Sequence, residues 1–229
     1  MALQDKLDVL TAELIASGQV PAAALATLRR TTLDLIASGA ADRALMAGQS
    51  APSFALKDAQ GVVVRSNKLL ERGPLVMAFH LGIWCPYCAL ELQALEAARG
   101  EIERRGASIV SLSMQTAANS LKSTRDNALG FPLLVDFRGT VAAKFGLRTS
   151  MPHELVALHK EVLGNDLEEI NGEGSWTLPM PALYVIGQDG IVAYAEVCPD
   201  FRNRSEPENL LPVLDCLAHR RMLSQLPPR

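Results

Sequence analysis

The 229-residue chain is short of several things, and each shortage narrows what it can be. Aromatic residues make up only 5% of it, and the 13 prolines and 16 glycines are too few for a fibrous or low-complexity chain. A formal net charge of −3 supplies no basic surplus for nucleic acid or an anionic membrane surface. No apolar run approaches the ~20 residues of a membrane span. Met1–Leu10 mixes Gln4, Asp5, Lys6 and Asp8 into its apolar positions, with neither a basic n-region nor an apolar h-region. A soluble protein of the reducing cytoplasm is therefore expected, binding neither nucleic acid nor membrane. Cysteine is scarce too, with four in all, and in that compartment a close pair points to catalysis or metal binding rather than a structural disulfide.

What the chain does have is apolar mass. At 48% hydrophobic residues it can form a sizeable core, burying roughly 70% of its unfolded surface. Residues 1–46 read as a helical extension. Leu7, Leu10, Leu14 and Ile15 keep helical spacing up to a break at Gly18-Gln19-Val20-Pro21. Pro21 opens a second helix carrying Leu25, Leu28, Leu33, Leu35 and Ile36, which Gly39 closes. This hairpin packs on the main domain, or serves as the arm of a homodimer. Residues 47–222 alternate short strands and helices, leaving 223–229 as a tail. Phe54–Leu56 and Val62–Val64 flank a turn at Asp58–Gly61; Leu75–Phe79, Ala107–Leu112, Leu133–Val135, Ala182–Ile186 and Ile191–Val197 read as further strands. The fold class is α/β, a mixed central sheet flanked by helices.

The informative stretch is Trp84-Cys85-Pro86-Tyr87-Cys88, where an apolar strand gives way to a helix. Pro86 suits the first helical turn, where its missing N–H costs nothing. Cys85 then stands at the helix N-terminus, where free N–H groups and the positive dipole end lower a thiol pKa and favour the thiolate. Cys88, one turn on, can attack a mixed disulfide formed at Cys85 and release the product. A closed zinc site needs four ligands, and no second C-x-x-C exists; Cys198 and Cys216 stand alone, and the four histidines are scattered. No metal and no cofactor is expected. A non-enzymatic metal carrier or redox sensor using the same pair is the alternative of another class.

The C-P-Y-C core resembles the active sites of the thioredoxin superfamily, glutaredoxins in particular. Around it, Gly48-Gln49-Ser50-Ala51-Pro52-Ser53-Phe54-Ala55-Leu56, Phe131–Asp136 with Val141–Leu147, and Ala182–Ile186 through Gly190 resemble the peroxiredoxin-like proteins of the alkyl hydroperoxide reductase/thiol-specific antioxidant family. The resemblance spans residues 48–217 and implies a thioredoxin-like fold and a cofactor-free antioxidant thiol chemistry. It also implies a disulfide or peroxide substrate and a reductant of the thioredoxin, glutaredoxin or glutathione type.

The family's peroxidase signature, P-x-x-x-T-x-x-C with a later arginine, is incomplete here. Counted back from Cys85, its Pro and Thr positions hold Ala78 and Gly82; counted back from Cys88, they hold Leu81 and Cys85. The arginine position falls at Pro181. Thr and Arg would donate hydrogen bonds to peroxide and thiolate, so their absence tilts the expectation from peroxidase toward dithiol–disulfide exchange. Cys85 is then the attacking thiolate and Cys88 the resolver. Pro181 would be a cis residue lining the cleft and leaving backbone groups free for a bound peptide. Trp84, Pro86 and Tyr87 complete the cleft rim. Cys198 and Cys216 read as packing residues and His153 and His159 as surface histidines. The insertion at residues 148–176, with Trp176, packs, walls the cleft or contacts a partner.

Overall fold

The computed structural model describes residues 1–224, with side chains through Arg221, so the tail expected at 223–229 lies almost wholly outside the described residues. Two helices come first, α1 (Leu3–Ala16) and α2 (Ala22–Ala37). The strands β1 (Ala55–Asp58) and β2 (Val63–Arg65) follow as an antiparallel hairpin, where Asp58 Oδ1 accepts the Gln60 and Val62 N–H groups at 2.9 and 2.8 Å. Short helix α3 (Ser66–Leu70) leads to β3 (Leu75–Phe79), then α4 (Pro86–Arg104), β4 (Ser108–Ser113), α5 (Ala117–Asp126) and β5 (Leu133–Val135). After α6 (Thr140–Lys144) come β6 (Arg148–Ser150), α7 (His153–Leu158) with a π-helical continuation over His159–Leu163, α8 (Leu167–Asn171) and β7 (Thr177–Pro179). The last elements are β8 (Ala182–Ile186), β9 (Val192–Val197) and α9 (Leu210–Ser224).

Seven strands form one mixed sheet in the order β2-β1-β5-β4-β3-β8-β9, while β6 and β7 pair separately. Central β3 runs parallel to β4 and antiparallel to β8, and all five of its residues are buried. Both of its faces are covered, which explains an uninterrupted apolar run rather than an alternating one. One face holds Leu75, Met77 and Phe79 with Leu112, Phe145 and Tyr184; the other holds Val76 and Ala78 with Leu92, Leu95, Leu183, Leu210 and Leu214. Phe79, Phe145 and Tyr184 form a tilted aromatic trio with centroids 5.1–6.2 Å apart.

The Phe131–Asp136 segment has a structural task. Asp136 is buried, and its carboxylate accepts the Val141 and Ala142 N–H groups at 2.8–3.1 Å, capping α6. Helix α1 docks on α4 and α2 docks on α7. No helix among the described residues is long and apolar enough to cross a membrane.

Candidate active site

The site forms at the carboxyl end of β3. In the β3–β8 register Phe79 faces Ala182, so Pro181 stands beside the loop that leaves β3 at His80. That loop turns sharply at Gly82, whose φ of +142° is a glycine conformation, and Gln115 fixes it by accepting the Ile83 N–H at 2.8 Å. Chain direction then reverses into α4. Cys85 is its N-cap residue, with Sγ accepting the Cys88 N–H at 3.3 Å, and Pro86 fills the first turn. Both thiols are free and buried, 2% and 1% exposed.

The two sulfurs have different surroundings. Cys85 opens on a cavity of about 610 Å³ that is also lined by Trp84, Pro86, Tyr87 and Pro181. Cys88 lies behind it, where Sγ accepts the Leu81 N–H and the Arg204 guanidinium N–H, each at 3.4 Å. Arg204 is buried and also pairs with buried Glu91, Nε to Oε2 at 2.8 Å. No arginine was expected at the thiols. Arg204 comes from the loop after β9, far from the Pro181 position. Its only sequence signal is a charged residue in Arg202-Asn203-Arg204, which reads as an exposed turn.

Charge follows this asymmetry. Burial pushes the Cys88 thiol up, yet the Cys85 hydrogen bond, the Arg204 charge and the Leu81 N–H outweigh it and bring Cys88 to about 6. Cys85 moves the other way, raised by burial and by its hydrogen bond and charge interaction with Cys88. In the reduced pair the negative charge therefore rests on Cys88, not on Cys85 as the helix-terminus argument alone suggested. The helix end acts on both sulfurs, whereas the direct guanidinium contact belongs to one. Glu91 is pushed up to about 7 by burial, against the pull of Arg204. His80, buried and bonded through Nδ1 to Ser111 Oγ at 2.8 Å, is held down at about 3 by burial and by Arg204.

Several expectations change here. Every peptide bond among the described residues is trans, so Pro181 lines the cavity without being a cis residue. Two backbone groups beside it are bonded: Met180 donates to Leu147 O at 2.9 Å and Cys198 donates to Pro181 O at 2.8 Å. The trans form keeps the chain extended from β7 into β8, where these bonds hold it. Tyr87 is buried, not a rim residue in solvent, and its hydroxyl bonds Thr11 of α1 at 3.0 Å. His153 is exposed as expected, but His159 is 3% exposed and stacks edge-on against Trp84 at 5.0 Å. The insertion supplies Met151, Leu155, His159 and Leu163 to the cavity wall, whereas Trp176 bonds Glu168 and lies under Lys160. Cys198 is buried as expected and pushed up to about 12 by burial, but Cys216 is exposed on α9. Apolar neighbours in sequence had placed Cys216 in the core, yet its helical phase turns it outward. Among the described residues no three His, Cys, Asp or Glu side chains cluster as a metal site.

A vicinal dithiol at a helix N-terminus, on a sheet of this topology, defines a thioredoxin-like thiol oxidoreductase. Residues 47–195 match the AhpC/TSA family model, and the chain belongs to that family. It is 28% identical over 125 residues to the thiol-disulfide oxidoreductase ResA of Halalkalibacterium halodurans, spanning 54% of this chain and 70% of that one. Peroxiredoxin Q, chloroplastic, of Oryza sativa subsp. japonica is 26% identical over 161 residues, 70% of this chain and 61% of its own. Among solved structures, peroxidoxin BcpB from Mycobacterium tuberculosis superposes with a TM-score of 0.61 at 22% identity, covering 75% of this chain and 97% of that one. The chain is an oxidoreductase enzyme of peroxiredoxin-like type.

Proposed function

We propose that the enzyme reduces disulfides by dithiol exchange, with Cys85 as the attacking sulfur and Cys88 as the resolving one. The observation that carries this is the order of the sulfurs: Cys85 faces the cavity, and Cys88 sits behind it against Arg204. Transfer of the Cys85 proton to Cys88 leaves a Cys85 thiolate. This attacks a substrate R–S–S–R′, forms Cys85–S–S–R and expels R′–S⁻, which takes the Cys88 proton. Cys88 thiolate then attacks Cys85 sulfur, closes the Cys85–Cys88 disulfide and expels R–S⁻. An external dithiol of the thioredoxin or glutaredoxin type, or glutathione, returns the pair to the reduced state.

Trp84, Pro86, Tyr87 and Pro181 form the substrate walls of this reading. The Met180 N–H and the Pro181 carbonyl are already bonded, so substrates are held chiefly by apolar contact with these walls. The reading also includes a cytoplasmic location, a domain of residues 47–222 behind the 1–46 extension, and a homodimer as the assembly of that extension.

One observation favours a second reading, a thiol peroxidase with Cys88 as the peroxidatic sulfur. In that register Cys85 takes the threonine's place, and Arg204 provides the guanidinium missing at Pro181.

Stopped-flow oxidation by H2O2 and turnover of insulin disulfides separate the two. Exchange chemistry predicts oxidation near the rate of an ordinary thiol, and insulin turnover that is lost in both Cys85→Ser and Cys88→Ser. Cys88→Ser should accumulate mixed disulfides at Cys85. Peroxide oxidation orders of magnitude faster, abolished by Cys88→Ser, overturns exchange in favour of the peroxidase.

A further inference from the structure

Of the groups that lower Cys88, the Cys85 hydrogen bond and the Leu81 N–H lie inside the family's matched region, and Arg204 lies outside it. The match ends at residue 195, whereas Arg204 comes after it and α1 before it. These two ends of the chain are bonded to each other. The Glu206 carboxylate accepts the Leu3 and Gln4 N–H groups, both at 2.9 Å, and so satisfies two open donors of the first turn of α1. The Gln4 side chain crosses back: its Oε1 accepts the Arg204 N–H and its Nε2 donates to Arg202 O, each at 3.3 Å. Arg204 thus has α1 fixed to it on both sides, through its own backbone and through Glu206 two residues on.

The same helix packs on α4, which carries the thiols at its N-terminal end. Leu3 and Leu7, 3% and 0% exposed, share one apolar cluster with Cys85, Tyr87 and Cys88. Thr11 reaches Tyr87 by the hydroxyl contact described above. Within the Arg204 loop, Nη1 donates to the carbonyls of Phe201 and Asn203, so loop and guanidinium move together. A guanidinium presents a rigid planar fork, and a small shift of the loop would redirect the N–H that Cys88 receives.

We propose that α1 is a working part of the redox site: by bonding the Arg204 loop through Gln4 and Glu206, it holds the guanidinium on Cys88 and thereby sets the reactivity of the pair. Gln4 and Glu206 are positioning residues that touch neither thiol. This rests on the reading of Cys85 and Cys88 as the reacting pair, and it gives α1 of the N-terminal extension a role at that pair beyond cover or assembly.

The test is the ionisation of the pair, followed by thiolate absorbance at 240 nm against pH in full-length reduced protein. A Cys198→Ser/Cys216→Ser background confines the signal to Cys85 and Cys88. Other groups that bear on the titration are Glu91 and Tyr87 on α4, His80 before it, Glu196 on β9, and Asp200 and Arg202 in the Arg204 loop. Asp8 of α1 accepts from Gln4 Nε2. All of these remain unaltered in every variant. Arg204→Met should raise the first midpoint by about one pH unit or more, a tenfold loss of thiolate below it, and Arg204→Lys should recover part of this. Gln4→Ala combined with Glu206→Gln should move the midpoint in the same direction by roughly half as much. Gln4→Ala alone, a change at a partly exposed side chain, supplies the same direction if the double variant fails to fold by circular dichroism. A folded tether variant that titrates like its parent overturns the role of α1. An unchanged midpoint in Arg204→Met overturns the role of Arg204. Absence of insulin turnover in the parent would refute disulfide exchange without altering either titration result.

Discussion

Arg204 Nη2 stands 3.4 Å from Cys88 Sγ, joining residues 116 positions apart in the chain, while its Nε holds Glu91 at 2.8 Å. One cation thus serves two buried acids, and its removal should be felt differently as pH changes. Glu91 has a folded pKa of about 7, above its ordinary value of 4.5. Between those values the folded chain keeps a proton that the unfolded chain releases, so this group's contribution to stability falls as pH rises. Arg204→Met removes the charge that restrains the shift and extends the window upward. The variant should lose roughly 3–5 kcal/mol at pH 8, where Glu91 must be charged or capture a proton, and clearly less at pH 5. Urea unfolding at the two pH values checks this, and equal losses at both would contradict it.

Gly82 occupies the position that would be threonine if Cys85 were the peroxidatic sulfur, and the backbone does not admit that residue. At φ +142° any side chain is strained, and a Cβ would lie 3.1 Å from Trp84 Nε1. Gly82→Thr should therefore destabilise the protein by about 1–3 kcal/mol without creating a fast peroxidase. Thermal unfolding together with the H2O2 rate checks this; a stable variant with accelerated peroxide oxidation would count against it.

The strand pattern was legible because each run carries its own local chemistry. Leu75–Phe79, Leu133–Val135 and Ala182–Ile186 are strands over the expected residues, each ended by a turn or cap. The C-P-Y-C pair was legible for the same reason, since its N-cap geometry arises within four consecutive residues. Arg204 was not. Its partnership with Cys88 depends on where a loop after β9 crosses α4, and no periodicity encodes that crossing. Strand β6 inside the insertion and β7 just after it were too short to stand out, and α8 is a single capped turn. Cys216 and His159 were misplaced for one reason: burial there depends on which helical face meets a neighbour, not on the hydropathy of adjacent residues.

Cavity shape should decide which disulfides are reduced. Leu155, in the insertion, and Leu28, in α2, both line the space in front of Cys85. A bulkier side chain at 155 would narrow the cavity without touching either sulfur. Leu155→Trp should lower kcat/KM for a bulky aryl disulfide by about tenfold or more, corresponding to more than 1.4 kcal/mol of transition-state binding. For a small disulfide such as hydroxyethyl disulfide, the loss should be far smaller. Equal losses for both substrates would show that the cavity does not select among them.

His159 gives the site an acid-sensitive wall. Burial holds its pKa at about 4, below the ordinary value of 6.5, and its ring stacks edge-on against Trp84. As pH falls from 6.5 toward 4, the unfolded chain binds a proton at this residue that the folded chain refuses, and stability is lost through that window. His80 acts with the same sign and a lower limit of about 3, while Glu91 acts with the opposite sign. Comparison with a variant isolates the His159 contribution because the other two are common to both proteins. His159→Phe retains a ring against Trp84 and removes the titration. It should lose less stability than the parent between pH 7 and pH 5, by roughly 1–2 kcal/mol, in urea unfolding followed at both values. Parallel losses in parent and variant would mean that His159 does not contribute to the acid limb.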